Sequence, residues 1–116
     1  MIVEEKVVHR SITAQLSIVE IEMIKAYIQG AVHSHCNTCS DKPFSVRTLF
    51  GEDNNDWTNT PLQNIYNYHK YISGSNNPKK QAAIDIGWIF KQVLDNDIRK
   101  FECVGKDTGK IYKLII

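Results

Sequence analysis

Residues 78–116 constrain this chain more than any other stretch. Ala82, Ile86, Ile89 and Val93 recur at helical spacing beside a second row of Ala83, Gly87, Phe90 and Leu94. A helix with so broad an apolar face must bury it against other elements. After a break at Asp95-Asn96-Asp97, residues 101–104 and 111–116 flank Gly105-Lys106-Asp107-Thr108-Gly109-Lys110, whose glycines and aspartate suit a turn between two strands. The helix is expected over 78–95 and the hairpin over 100–115. Gly87 in mid-helix predicts a close approach of another element, since glycine there costs about 1 kcal/mol relative to alanine. Gln81, Asp85, Trp88 and Gln92 form a row opposite the buried stripe, which places Trp88 at the edge of the core or outside it.

The 116 residues form one domain, 1–116, with a single core. A hydrophobic content of 42% and a charged content of 23% are those of an ordinary soluble chain. The formal net charge of +1 means that any binding to nucleic acid relies on a local patch rather than on an overall basic excess. No apolar run is long enough for a membrane span, and residues 1–6 lack a signal-peptide pattern, so the expected location is cytoplasmic. Three cysteines without a secretion signal point to reduced thiols.

Upstream, the β-branched pairs within residues 2–10 predict a short edge strand that adds to the hairpin or pairs two copies as a homodimer. Ser17 with Glu20 makes a capping box, and Leu16 with Ile21 a hydrophobic staple, so a helix is expected over 17–35 with Ile21, Ile24, Ile28, Ala31 and Val32 inward. His33, His35, Cys36 and Cys39 are metal-ligand types, the two cysteines at zinc-knuckle spacing. They lack a second, distant ligand pair, and the turn reads as a polar helix end without metal. Phe44-Ser45-Val46-Arg47-Thr48-Leu49-Phe50-Gly51 predicts a short helix over 45–50, capped by Ser45, stapled by Phe44 and Leu49 and stopped by Gly51. The acidic run 52–56 lacks the central glycine of a calcium loop and reads as solvated. Thr60, Pro61 and Gln63 predict a capped helix over 60–72 with Leu62, Ile65, Tyr66, His69 and Ile72 on one face. His69 there is a core-edge histidine, because no Ser, Cys or acid has a recognisable spacing to it.

The order Phe44-x-x-x-x-Leu49-Phe50, Trp57, Ile86-Gly87-x-x-Phe90-x-x-Val93 and a hairpin closing on Tyr112 resembles a family of small uncharacterised winged-helix-like proteins of bacteria and their mobile elements. That family's motif is roughly Phe-x-Leu-x-Asp-Leu-Phe, Trp, Leu-Gly-Arg-x-Phe and a terminal Tyr; here Thr48 replaces the Asp and Trp88 the Arg. The resemblance implies an α+β fold: a helical, winged-helix-like core over 44–116 with a C-terminal β-hairpin, preceded by a strand and helix extension over 1–40.

No nucleophile with a base, phosphate-cradling glycine loop or paired carboxylates can be assembled, so a non-catalytic binding module without cofactor is expected. In the DNA-binding form, the long helix enters the major groove of a duplex and the hairpin touches phosphate, through Lys79, Lys80, Lys91, Lys106 and Lys110. The alternative is a protein-binding adaptor or inhibitor from a mobile element, of anti-defence or anti-CRISPR type, anchored by Trp88 and Gln92.

Overall fold

The computed structural model describes residues 1–4, 6–50, 57–106 and 109–116. It has a mixed α+β architecture in which helices pack on the long fourth helix and a C-terminal antiparallel hairpin follows it. The first helix, α1, spans Ile18–Thr38 and starts at Ser17, whose hydroxyl accepts from Glu20 N while the Glu20 carboxylate accepts from Ser17 N. Two of the amides that a helix start leaves unpaired are thereby satisfied. Its buried stripe is Ile24, Ile28, Val32 and Cys36, which carries the helix one turn beyond the expected end at residue 35.

A short helix, α2, spans Val46–Leu49 and is capped by Ser45 through a box with Thr48. Just before it, Phe44 makes an antiparallel bridge to Tyr112, exchanging two backbone hydrogen bonds of 2.8 Å. The expected stop at Gly51 and the acidic run 52–56 lie outside the described residues.

The third helix departs from its expected form. Thr60 Oγ1 accepts from Leu62 N but closes no box with Gln63, whose side chain instead donates to Asn67 Oδ1. The α-helix α3 covers Gln63–Asn67 and then widens into a π-helical segment, Tyr68–Ile72, in which Ser73 N bonds to Tyr68 O. A π turn takes up extra residues, so the 3.6-residue period ceases to predict which side faces inward. Ile72, expected on the buried face, is accordingly 75% exposed.

The long helix, α4, spans Pro78–Asn96, with Asn77 Oδ1 accepting from Lys80 N and Pro78 in the first turn. Strands β1 (Phe101–Lys106) and β2 (Lys110–Leu114) pair antiparallel, with a register shift between Cys103 and Gly105. Phe44, Phe90, Phe101 and Tyr112 join hairpin, α4 and the segment before α2, with ring centroids 5.8–6.0 Å apart. These side chains belong to the same buried cluster as Ile2, Ala14, the α1 stripe, Trp57, Leu62 and Ile65, so the N-terminal extension shares the core of the rest.

Among the described residues the expected N-terminal strand is reduced to one parallel bridge, between Ile2 and Phe101. The remainder of the segment is held by side chains of α4. Asp95 accepts from Ile2 N and meets His9 Nε2 at 2.7 Å, and Asp85 accepts from Thr13 N and Ala14 N, both at 3.0 Å. These carboxylates satisfy the Ile2 amide within the expected strand and the Thr13 and Ala14 amides after it. No helix among the described residues is long and apolar enough to cross a membrane.

Candidate functional site

Beyond its buried stripe, α4 presents Lys80, Ala83, Ile84, Gly87, Trp88 and Lys91 to a groove of about 800 Å³. One wall comes from Ser45–Arg47 at the start of α2, and another from Lys106, Gly109 and Lys110 at the end of the hairpin. The floor is apolar and aromatic, with Trp57, Phe90 and Tyr112 beneath Ile84 and Trp88. Five cations border it, Arg47, Lys80, Lys91, Lys106 and Lys110, and no carboxylate is among the described residues that line it. Of the set, Lys110 has Glu4 Oε1 3.8 Å from its Nζ.

Lys91 is the unusual member. The residue is 7% exposed and makes no ion pair with a described carboxylate. Burial of its ammonium and the neighbouring Lys110 charge both lower its affinity for a proton, while Glu4 acts the other way. Its Nζ lies 5.6 Å from the centre of the Trp88 ring, and the Arg10 guanidinium lies 5.5 Å from the same ring. A half-buried indole therefore helps to hold two cations, Lys91 in the groove lining and Arg10 outside it, through their attraction to its π face.

Of the lysines singled out in the sequence, Lys80, Lys91, Lys106 and Lys110 are brought together, while Lys79 sits on the exposed first turn of α4 outside the lining. Trp88 joins the groove at the edge of the core; Gln92 is half-buried and does not line it. Arg47 was missed, because a four-residue helix gives no periodicity from which to judge its outward side.

Two expectations about α4 are corrected. A Cβ built on Gly87 meets nothing within 4 Å, so this glycine marks open space over the groove and not a close helix contact. Asp85, placed in the outward row with Trp88, is 1% exposed. Its carboxylate turns under the N-terminal segment, where Thr13 and Ala14 supply donors that an apolar wall would lack.

Asp85 also meets His69, Nε2 to Oδ2, at 2.7 Å, with the imidazole positioned by the π-helical segment. Thr13 Oγ1 donates to the same carboxylate at 3.1 Å and lies 3.5 Å from the same imidazole nitrogen. A hydroxyl activated for attack needs an imidazole nitrogen free to take its proton, and here the carboxylate already occupies that nitrogen. The arrangement ties three segments together in the core.

The four metal-ligand types of α1 diverge. Cys36 faces the core, where burial pushes its thiol above the usual range, and Cys39 closes the helix with its amide on His35 O. His33 meets Asn37 Nδ2 at 3.0 Å, and His35 Nε2 meets Lys42 O at 2.9 Å. Among the described residues no three His, Cys, Asp or Glu side chains gather to hold a metal ion.

Comparison with known proteins finds no match to this chain in any family model, curated protein or solved structure.

Proposed function

We propose that this chain is a non-catalytic DNA-binding module of winged-helix-like type, with the cationic groove as its contact surface. The observation that carries the reading is the convergence of Lys80, Lys91, Lys106, Lys110 and Arg47 on one concavity without a described carboxylate in its lining. A near-neutral protein can bind a polyanion only through such a local concentration of charge. The element order supports the winged-helix-like part: a helix, a bridge from Phe44 to β2, further helices and a terminal hairpin whose end carries Lys106 and Lys110. The described cysteines are free thiols, in keeping with a cytoplasmic setting.

The test is a salt titration of DNA binding by the purified protein. Five phosphate contacts give a slope of log affinity against log salt of about −4.5 on a duplex and about −3.5 on a single strand. Changing Lys106 and Lys110 together to Glu should reduce that slope by about two and weaken binding to every sequence alike. Absence of binding at low salt overturns the reading.

A second reading, a protein-binding adaptor or inhibitor, draws on the outward face of α1, where Ile18 is 81%, Val19 68% and Met23 53% exposed. Apolar side chains adjacent on one helix face suit a protein contact better than a phosphate backbone. Replacing Val19 and Met23 by Glu would abolish a protein complex formed there while leaving DNA binding unchanged.

A further inference from the structure

The groove differs from a duplex-reading surface in shape and in chemistry. A helix that reads base edges enters a major groove about 12 Å wide and must stand out as a ridge. Here α4 is buried at Ala82, Asp85, Ile86, Ile89, Phe90, Val93 and Leu94, with Lys91 largely buried as well, and its outward strip lies at the bottom of a concavity between α2 and the hairpin end. That strip offers Lys80, Ile84, Gly87, Trp88 and Lys91, with no Asn, Gln or Arg to pair with a base edge.

We infer that the groove accommodates a single strand of DNA, with bases over its apolar floor and phosphates on its cationic border. The inference rests on the DNA-binding reading and narrows it. A duplex hides its base faces in the stack, whereas a single strand presents flat apolar faces and a charged backbone side by side. The groove presents the complementary pair: the exposed Ile84 and the half-buried Trp88 on its floor, backed by the buried Trp57 and Tyr112, and the five cations around them. Open space over Gly87 leaves the helix backbone accessible to a flat ring at the centre of this floor. Lys91, 5.6 Å from the Trp88 ring centre and in the groove lining, stands where a phosphate next to a base beside Trp88 would run. Deoxyribose suits the lining better than ribose. Among the described lining residues the hydroxyls are those of Ser45, already accepting from Thr48 N, and Tyr112, and there is no carboxylate or amide side chain to bond a 2′-hydroxyl. Without base-edge readers the sequence preference should be weak.

The experiment compares fluorescence anisotropy of a labelled oligothymidine about twelve nucleotides long with that of a duplex of equal length, at low salt. The single strand should bind about tenfold or more tightly than the duplex, with quenching of tryptophan fluorescence that Trp88→Phe largely removes. Trp88→Ala should lower single-strand affinity about tenfold with helical circular dichroism retained; if that variant unfolds, Trp88→Phe and Ile84→Glu carry the comparison. Equal or tighter duplex binding overturns the single-strand inference and leaves the DNA-binding reading standing. Tighter binding of oligouridine overturns the preference for DNA. Absence of binding by any nucleic acid overturns both readings, as does displacement of the strand by polyglutamate at equal charge, which would assign the groove to acidic protein.

Discussion

His69 Nε2 lies 2.7 Å from Asp85 Oδ2, with the two side chains 5% and 1% exposed. The same carboxylate accepts from two backbone amides and a hydroxyl of Thr13 and Ala14. Removing it would leave buried donors without acceptors, which costs more than the bonds themselves contributed. Asp85→Ala is expected to destabilise the fold by about 3–5 kcal/mol, read from urea denaturation. Adding Thr13→Val should cost less in that background than in the wild type, because the two residues share one network.

Gly87 lines the groove with nothing within 4 Å of where its Cβ would stand. Gly87→Ala should therefore stabilise the protein by roughly 0.8–1 kcal/mol, the helix-propensity difference, with no steric loss to offset it. A melting temperature lower than that of the wild type would mean that the position is tightly packed after all.

Lys91 keeps a buried ammonium beside Lys110, and burial with that like charge depresses its pKa. The charged form is thus disfavoured by folding, and the neutral, equally long Lys91→Met should raise stability by roughly 0.5–1 kcal/mol. The same change should weaken DNA binding and reduce its salt dependence by about one phosphate contact. Thermal melts and anisotropy on the one variant would separate these opposite effects.

Asp97 predicts the acid limb of the stability curve. Burial alone would raise its pKa, but hydrogen bonds from the Arg99 side chain and backbone and from Gln29 outweigh that and hold it well below its ordinary 3.8. Asp95 is shifted the same way, chiefly by its hydrogen bond with His9. For carboxylates depressed on folding, the stabilisation is complete above the unfolded value and is lost as pH falls through the folded one. Stability should therefore decline below about pH 4, and Asp97→Asn should flatten the decline in denaturation midpoints measured across that range.

Much of the fold was legible because it depends on neighbours in sequence. The Ser17–Glu20 box, the Ser45 cap, the proline start of α4 and the C-terminal hairpin are relations within a few residues, and each formed where its residue types require. The lysines of α4 and the hairpin were visible as charges, and Trp88 as an aromatic at the edge of a helix face. Their meeting in one groove was not, because it depends on how the hairpin folds back over α4 through Phe44, Phe90, Phe101 and Tyr112. Helical periodicity assigned Asp85 to solvent, yet Thr13 and Ala14, 72 and 71 residues away in sequence, supply the donors that make its burial tolerable. The N-terminal segment read as a strand, since its β-branched pairs suit one; among the described residues its ladder is limited to the bridge of Ile2 with Phe101, and the chain that follows is tied to α4 by Asp95 at His9 and by Asp85 at Thr13 and Ala14. The sequence by itself determined where α1, α2 and α4 begin and which stripe of α1 and α4 is apolar, through caps and period. Only the tertiary structure decided which polar groups could be buried and which charges share a surface, because both depend on partners that the chain brings together only when it folds.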